Sequence, residues 1–224
     1  MTFDLVRGWK LAAATLIAAT TALSPLSLRA LPTASADPCP DVEVVFARGT
    51  SEPAGIGRVG QALTDALSSQ LGGRSVGTYG VAYPATYDFL EAADGANDAT
   101  AHITAMSQQC PGTRIVLGGY SQGAAVVDML AGVPPLGNRV GDIGSAPPLP
   151  AGASGNVAAV AVFGNPSTKF GNPVSGTGAF AGKAIDLCSD GDPICSGGRN
   201  PFAHTHYESS AYIDQAASFV AARV

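Results

Sequence analysis

The chain has 224 residues, of which 46% are hydrophobic and 13% charged, and its formal net charge is −5. That length bounds the answer to one domain with a sizeable core. The acidic balance excludes nucleic acid or an anionic membrane surface as the main partner.

The chain opens on a segment that reads as an address. Arg7 and Lys10 make a basic start, Leu11 to Leu23 is apolar except for threonines, and Ala34-Ser35-Ala36 has the small-x-small pattern of a cleavage site. The apolar run is about 13 residues, short of the roughly 20 that cross a bilayer, and Pro25 and Pro32 follow it. Residues 1–36 are therefore expected to be a signal peptide and 37–224 the folded domain. Loss of Arg7, Lys10, Arg29 and Asp4 with the signal leaves 9 basic against 16 acidic residues, a net charge of −7. No later stretch is long and apolar enough to span a membrane, so stable insertion is not expected.

Strands and helices then alternate. Val42 to Ala47 reads as a buried strand ending in Arg48-Gly49-Thr50, and Val59, Leu63, Ala66 and Leu67 mark one face of a helix. Strand character returns at 75–81. Asp98 or Thr100 is the expected cap of a second helix with Ile103 and Met106 inside. Arg114 to Leu117 is a third strand, followed by a helix from Ser121 carrying Ala125, Val126 and Met129. Strands at 156–163 and 183–187 precede a last helix from Ser209 or Ser210, with Ile213, Ala216, Ala217, Val220 and Val224 inward. This order predicts a three-layer α/β/α sandwich around a central, mostly parallel five-stranded sheet. The Gly/Pro/Ser-rich stretches 133–154 and 165–182 read as loops of the kind that shape a site.

Gly119-Tyr120-Ser121-Gln122-Gly123 fits the Gly-x-Ser-x-Gly nucleophile elbow. A serine on a sharp strand-to-helix turn needs small flanking residues, and the helix amino end there stabilises developing negative charge. The apolar strand before it and the Ala/Val-rich helix after it supply that context. A serine hydroxyl also needs a base. His102 lies on a helix before the serine and reads as a solvated surface residue. His204 and His206 lie in a loop after the last strand and point in different directions, so at most one serves. The carboxylate must lie between serine and histidine. Asp128 is expected to face solvent, Asp142 lies in a loop, and Asp186, Asp190 and Asp192 cluster near the fifth strand. Asp192 is modestly favoured over Asp190 because it lies within the Cys188 to Cys195 segment. The Gln122 backbone N–H is the expected oxyanion donor, with a hydroxyl from Thr50 or Ser51 as the second.

All four cysteines follow the expected cleavage site, and export permits disulfides. Cys188 and Cys195 enclose six residues and pair locally, which leaves Cys39 with Cys110 by elimination. A zinc site is a poor match, since neither pair is Cys-x-x-Cys and no histidine has ligand spacing to both.

These residues resemble the cutinase family, and most closely its actinobacterial cutinase-like esterases. The resemblance spans the mature chain. It rests on Ala47-Arg48-Gly49-Thr50-Ser51-Glu52, on the elbow, on Cys188-Ser189-Asp190-Gly191-Asp192-Pro193-Ile194-Cys195, and on His204-Thr205-His206-Tyr207. It implies Ser121 as nucleophile, Asp192 rather than Asp190, and His204, three residues before Tyr207, rather than His206. It assigns Thr50 and the Gln122 backbone to the oxyanion hole and agrees with both disulfides. The implied activity is hydrolysis of carboxylic esters, short- to medium-chain acyl esters or lipids, by a secreted or cell-wall-associated monomer with no metal or cofactor. Phospholipase A, lipase, thioesterase or acetylxylan esterase activity would suit the same residues, and a non-catalytic surface protein is the rival of another class. Phe89, Leu90 and Phe202 are candidates for an acyl-chain wall, with ordinary packing an equal reading.

Overall fold

A computed structural model describes residues 39–137 and 143–224. The expected signal peptide at 1–36, and Asp142, lie outside the described residues. The strands β1 (Val42–Ala47), β2 (Val76–Gly80), β3 (Arg114–Tyr120), β4 (Val157–Phe163) and β5 (Ala184–Leu187) form one parallel sheet in the order β2-β1-β3-β4-β5. Between and after them come α1 (Gly57–Gln70), α2 (Ala92–Gln109), α3 (Gln122–Ala131), α4 (Ala151–Ser154), α5 (Pro166–Lys169) and α6 (Ala211–Ala221).

A parallel strand covered on both faces reads as a mostly apolar run, and β1 is one, broken only by Glu43. Its alternate side chains go to opposite faces. Val42, Val44 and Phe46 join Leu63, Leu67, Ala217 and Val220 under α1 and α6. Val45 and Ala47 join Ala96, Ala99, Val126 and Leu130 under α2 and α3. The chain leaves β1 toward β2 on one side and β3 toward β4 on the other. The loops that follow β1 and β3 therefore diverge and open a crevice at the strands' carboxyl ends, where α/β sheets hold ligands. Thr50 follows β1 and Ser121 follows β3.

The three-layer sandwich is as the sequence implies, with local differences. The second helix begins at Ala92, not at Asp98 or Thr100. Its first inward residues are Ala92, Gly95, Ala96 and Ala99, too small to give the pattern contrast that Ile103 gives. Asp98 lies inside the helix and accepts hydrogen bonds from the Tyr79 hydroxyl (3.0 Å) and the Ala82 N–H (2.8 Å). His102 is not a solvated surface residue. Its ring stacks on Tyr79 with centroids 3.5 Å apart, and its Nε2 is 3.0 Å from Oε2 of Glu43, a buried carboxylate on β1. Asp128 does not face solvent either; it is wholly buried. The 165–182 stretch folds back over α3 through α5 and the turn Gly178–Phe180, covering the face a simple layer would leave wet.

Both expected disulfides form. Cys39–Cys110 ties the chain before β1 to the end of α2, and Cys188–Cys195 closes a small ring after β5.

Candidate active site

The turn between β3 and α3 explains its own sequence. Ser121 has φ 56° and ψ −115°, a conformation non-glycine residues rarely adopt. The crossing is so tight that a Cβ on Gly119 would lie 2.2 Å from the Gly123 carbonyl oxygen, and one on Gly123 1.9 Å from that of Ala47. Only glycine fits at either position. The result presents Ser121 Oγ at the amino end of a ten-residue helix.

His204 comes from the turn Pro201–His204, and Asp192 from the ring closed by Cys188–Cys195. Ser121 Oγ is 2.8 Å from His204 Nε2, and His204 Nδ1 is 2.8 Å from Asp192 Oδ2. Asp192 is fully buried. Burial alone would raise its carboxyl, but donation from His204, from the Tyr207 hydroxyl (2.7 Å) and from the Ile194 N–H (2.7 Å) holds it below the ordinary carboxylate value. The Tyr120 hydroxyl donates to the His204 carbonyl at 2.5 Å, fixing the backbone beneath the imidazole; burial, foremost, pushes that phenol up to about 12. Asp190 is exposed and His206 bonds locally, its Nδ1 3.0 Å from the Phe202 carbonyl oxygen. Neither joins the relay.

The loop after β1 is stiffened by Arg48, buried at the strand's end. Its Nε donates to the Glu52 carbonyl at 2.9 Å and its Nη2 to the carbonyls of Tyr83 (2.5 Å) and Pro84 (3.2 Å). Glu52 in turn accepts from the Gly49 N–H at 2.7 Å. This places Thr50 over the elbow, where its Oγ1 donates to Gln122 Oε1 at 3.1 Å. The Gln122 N–H belongs to the first turn of α3, whose amides have no partner within the helix.

A cleft of about 640 Å³ opens at the serine. Thr50, Tyr120, Gln122 and His204 line it, and Tyr87, Phe89, Leu136, Ile143 and Ile194 make it largely apolar. Of the three candidates for an acyl-chain wall, Phe89 lines this cleft. Leu90 and Phe202 do not. Leu90 is 48% and Phe202 73% exposed. Tyr87, Ile143 and Ile194 gave no sequence signal, since each stands alone in a loop. Among the described residues, no cluster of three His, Cys, Asp or Glu side chains is placed to hold a metal ion, and no helix is long and apolar enough to cross a membrane.

The chain is similar to known proteins over most of its length. The family model described as Cutinase matches residues 38–224. Phospholipase Culp4 of Mycobacterium tuberculosis is 52% identical over 215 residues, covering 96% of this chain and 90% of that one. Probable carboxylesterase Culp3 of the same species is 51% identical, with 96% and 80% covered. Among solved structures, Trichoderma reesei cutinase in complex with a phosphonate inhibitor superposes with a TM-score of 0.64 at 38% identity, over 82% of this chain and 76% of that one. The catalytic core of T. reesei acetyl xylan esterase gives a TM-score of 0.68 at 26% identity, over 83% and 100%.

Proposed function

The chain belongs to the cutinase family of carboxylic ester hydrolases, and from that premise we propose that it is a secreted, monomeric serine esterase working through an acyl-enzyme on Ser121. The observation that carries this reading is the unbroken run of 2.8 Å contacts from Ser121 Oγ through His204 to a buried Asp192, at the mouth of an apolar cleft.

His204 Nε2 takes the hydroxyl proton as Oγ attacks the ester carbonyl. The tetrahedral oxyanion is held by the Gln122 N–H and the Thr50 hydroxyl, which turns from Gln122 Oε1 to meet it. Protonated His204 then gives its proton to the leaving alcohol. Water, deprotonated by the same imidazole, attacks the acyl-enzyme and restores the serine. Asp192 orients the ring and balances its charge in both halves. Tyr87, Phe89, Leu136, Ile143 and Ile194 favour a fatty acyl group of short to medium length. Export of 37–224 past a cleaved 1–36 segment accords with two disulfides.

A phospholipase A reading has its own support. The relative at 52% identity is named a phospholipase. In this chain, Arg58 lines the cleft beside the apolar residues, and a lipid phosphate that reached it would compete with Glu52 (3.2 Å) and Glu208 (2.9 Å) for its guanidinium.

The test is hydrolysis of p-nitrophenyl esters from acetate to palmitate by oxidised 37–224, beside Ser121→Ala. Activity confined to the wild type is expected, with an optimum at short to medium chains. Hydrolysis that survives in a folded Ser121→Ala variant would sink the acyl-enzyme, and an optimum at the longest chains would favour a lipid substrate.

A further inference from the structure

We propose that Tyr207 is the fourth member of the Ser121–His204–Asp192 relay, a positioning residue that fixes the Asp192 carboxylate and limits how strongly it attracts the His204 proton. The proposal rests on the acyl-enzyme reading given above. Tyr207 is almost wholly buried, in the turn Tyr207–Ser209 just before α6. Its hydroxyl donates to Asp192 Oδ2 at 2.7 Å, the same oxygen that lies 2.8 Å from His204 Nδ1. It also accepts from the Ser189 N–H at 2.8 Å and lies 3.6 Å from Cys195 Sγ. One hydroxyl thus meets both ends of the disulfide ring and the carboxylate that the ring carries. The phenol itself has little room to turn, because Phe163, Tyr120 and Tyr212 pack around it with centroids 5.8–5.9 Å away.

The chemistry follows from sharing Oδ2. A buried carboxylate with one partner would be a strong base and would draw the imidazole proton toward itself. Donation from Tyr207 disperses the charge on Oδ2, so Asp192 stays anionic while the proton stays on Nδ1. A phenol suits this task, since it donates without bringing charge and burial keeps it from ionising. The titratable groups facing this hydroxyl are Asp192, His204 (ring centroids 6.3 Å apart), Tyr120 and Tyr212. Glu208, next in the chain, turns instead to Arg58 at 2.9 Å.

The test compares wild type and Tyr207→Phe, as oxidised 37–224, for kcat, KM and the pH profile of kcat/KM on p-nitrophenyl butyrate. With the hydroxyl gone, Asp192 becomes the stronger base and stabilises the imidazolium. The acid limb is then expected to move up by roughly half a pH unit, with kcat roughly tenfold lower and KM unchanged. An acid limb that stays put, whatever happens to thermal stability, overturns the proposal and leaves Tyr207 a packing residue. Should Tyr207→Phe fail to fold, 3-fluorotyrosine at 207 keeps the shape and strengthens the donor. The limb should then move to lower pH, and an unmoved limb again overturns the proposal. Ser121→Ala assayed in parallel separates the two readings. Activity in that variant refutes the acyl-enzyme, whereas an inactive Ser121→Ala with an unmoved limb refutes only the role of Tyr207.

Discussion

Gly164 follows β4 and lies against the His204 ring, and replacing it by alanine separates the fit of the site from the stability of the fold. A Cβ there would lie 2.7 Å from His204 Cε1, 2.9 Å from Nδ1 and 3.2 Å from Asp192 Oδ2. Ordinary contact begins near 3.4 Å, so the imidazole must withdraw by about 0.7 Å. The backbone has φ +58°, which costs a residue with a Cβ about 1 kcal/mol. For a domain of this size that lowers Tm by roughly 2–4 °C. The ring displacement acts on chemistry instead, because it disturbs both 2.8 Å contacts of the relay at once. A misplacement near 1 Å typically costs on the order of 100-fold in rate. Gly164→Ala is therefore expected to remain folded, keep its KM, and lose kcat by roughly 100-fold. Initial rates on p-nitrophenyl butyrate and thermal unfolding by circular dichroism measure the two effects separately. A kcat close to wild type would show that the imidazole is not gripped at Gly164, and the reasoning would fail.

Two further perturbations act elsewhere. Asp128 is buried, and burial, outweighing donation from Asn165 Nδ2 at 2.9 Å, raises its carboxyl well above the ordinary value. From the unfolded value upward, the native protein keeps a proton that the unfolded chain has shed, so this group's contribution falls as pH rises toward the native value. Asp128→Asn removes that slope. The variant should gain stability relative to wild type between pH 4 and pH 8, read by urea unfolding at both; a constant difference would refute it. The disulfides should divide their effects. Cys39–Cys110 spans 71 residues, and its loss (both to Ser) should cost roughly 4 kcal/mol of stability with kcat intact at low temperature. Cys188–Cys195 spans 7 and frames Asp192, so its loss should cost roughly 2.5 kcal/mol and also lower kcat. Equal kcat in the two double variants would count against the ring as a support for Asp192.

Where side chains are large and periodic, the sequence reads through to the structure. Val42 to Ala47 and Asn156 to Phe163 are strands with no rival assignment, and the elbow glycines announce a crossing that only they fit. Small residues carry less information. The start of α2 carries no pattern in the sequence because Ala92, Ala96 and Ala99 bury a helix face without apolar contrast. The burial of Asp128 and the packing of His102 are hidden for a different reason. Each is a polar residue whose burial depends on a partner remote in sequence, Asn165 for one and Glu43 for the other. Arg48 belongs with them. A lone arginine directly after the apolar residues Val44 to Ala47 signals a buried anchor, but its acceptors are the carbonyls of Glu52, Val81, Tyr83 and Pro84, which no side-chain pattern reveals.

The aspartates after β4 show most clearly what pattern alone withholds. Asp186, Asp190 and Asp192 lie within seven residues and are chemically identical, yet their surroundings differ completely. Asp186 accepts from Asn165 Nδ2, Thr168 Oγ1 and the Val174 and Ser175 N–H groups, which pins the 165–175 stretch and brings Pro166 to the cleft. Asp190 is exposed. Asp192 faces inward because the ring turns its backbone, with its carbonyl held by Ser196 Oγ at 2.5 Å and its N–H donated to the Ser189 carbonyl at 3.0 Å. The first carboxylate shapes the wall of the site and the third holds the His204 imidazole. Both tasks need anions satisfied by several donors, and those donors come from segments that meet only once the sheet has formed. Spacing could narrow the choice among the three, but the direction each side chain takes is set by the folded ring and the loop it anchors.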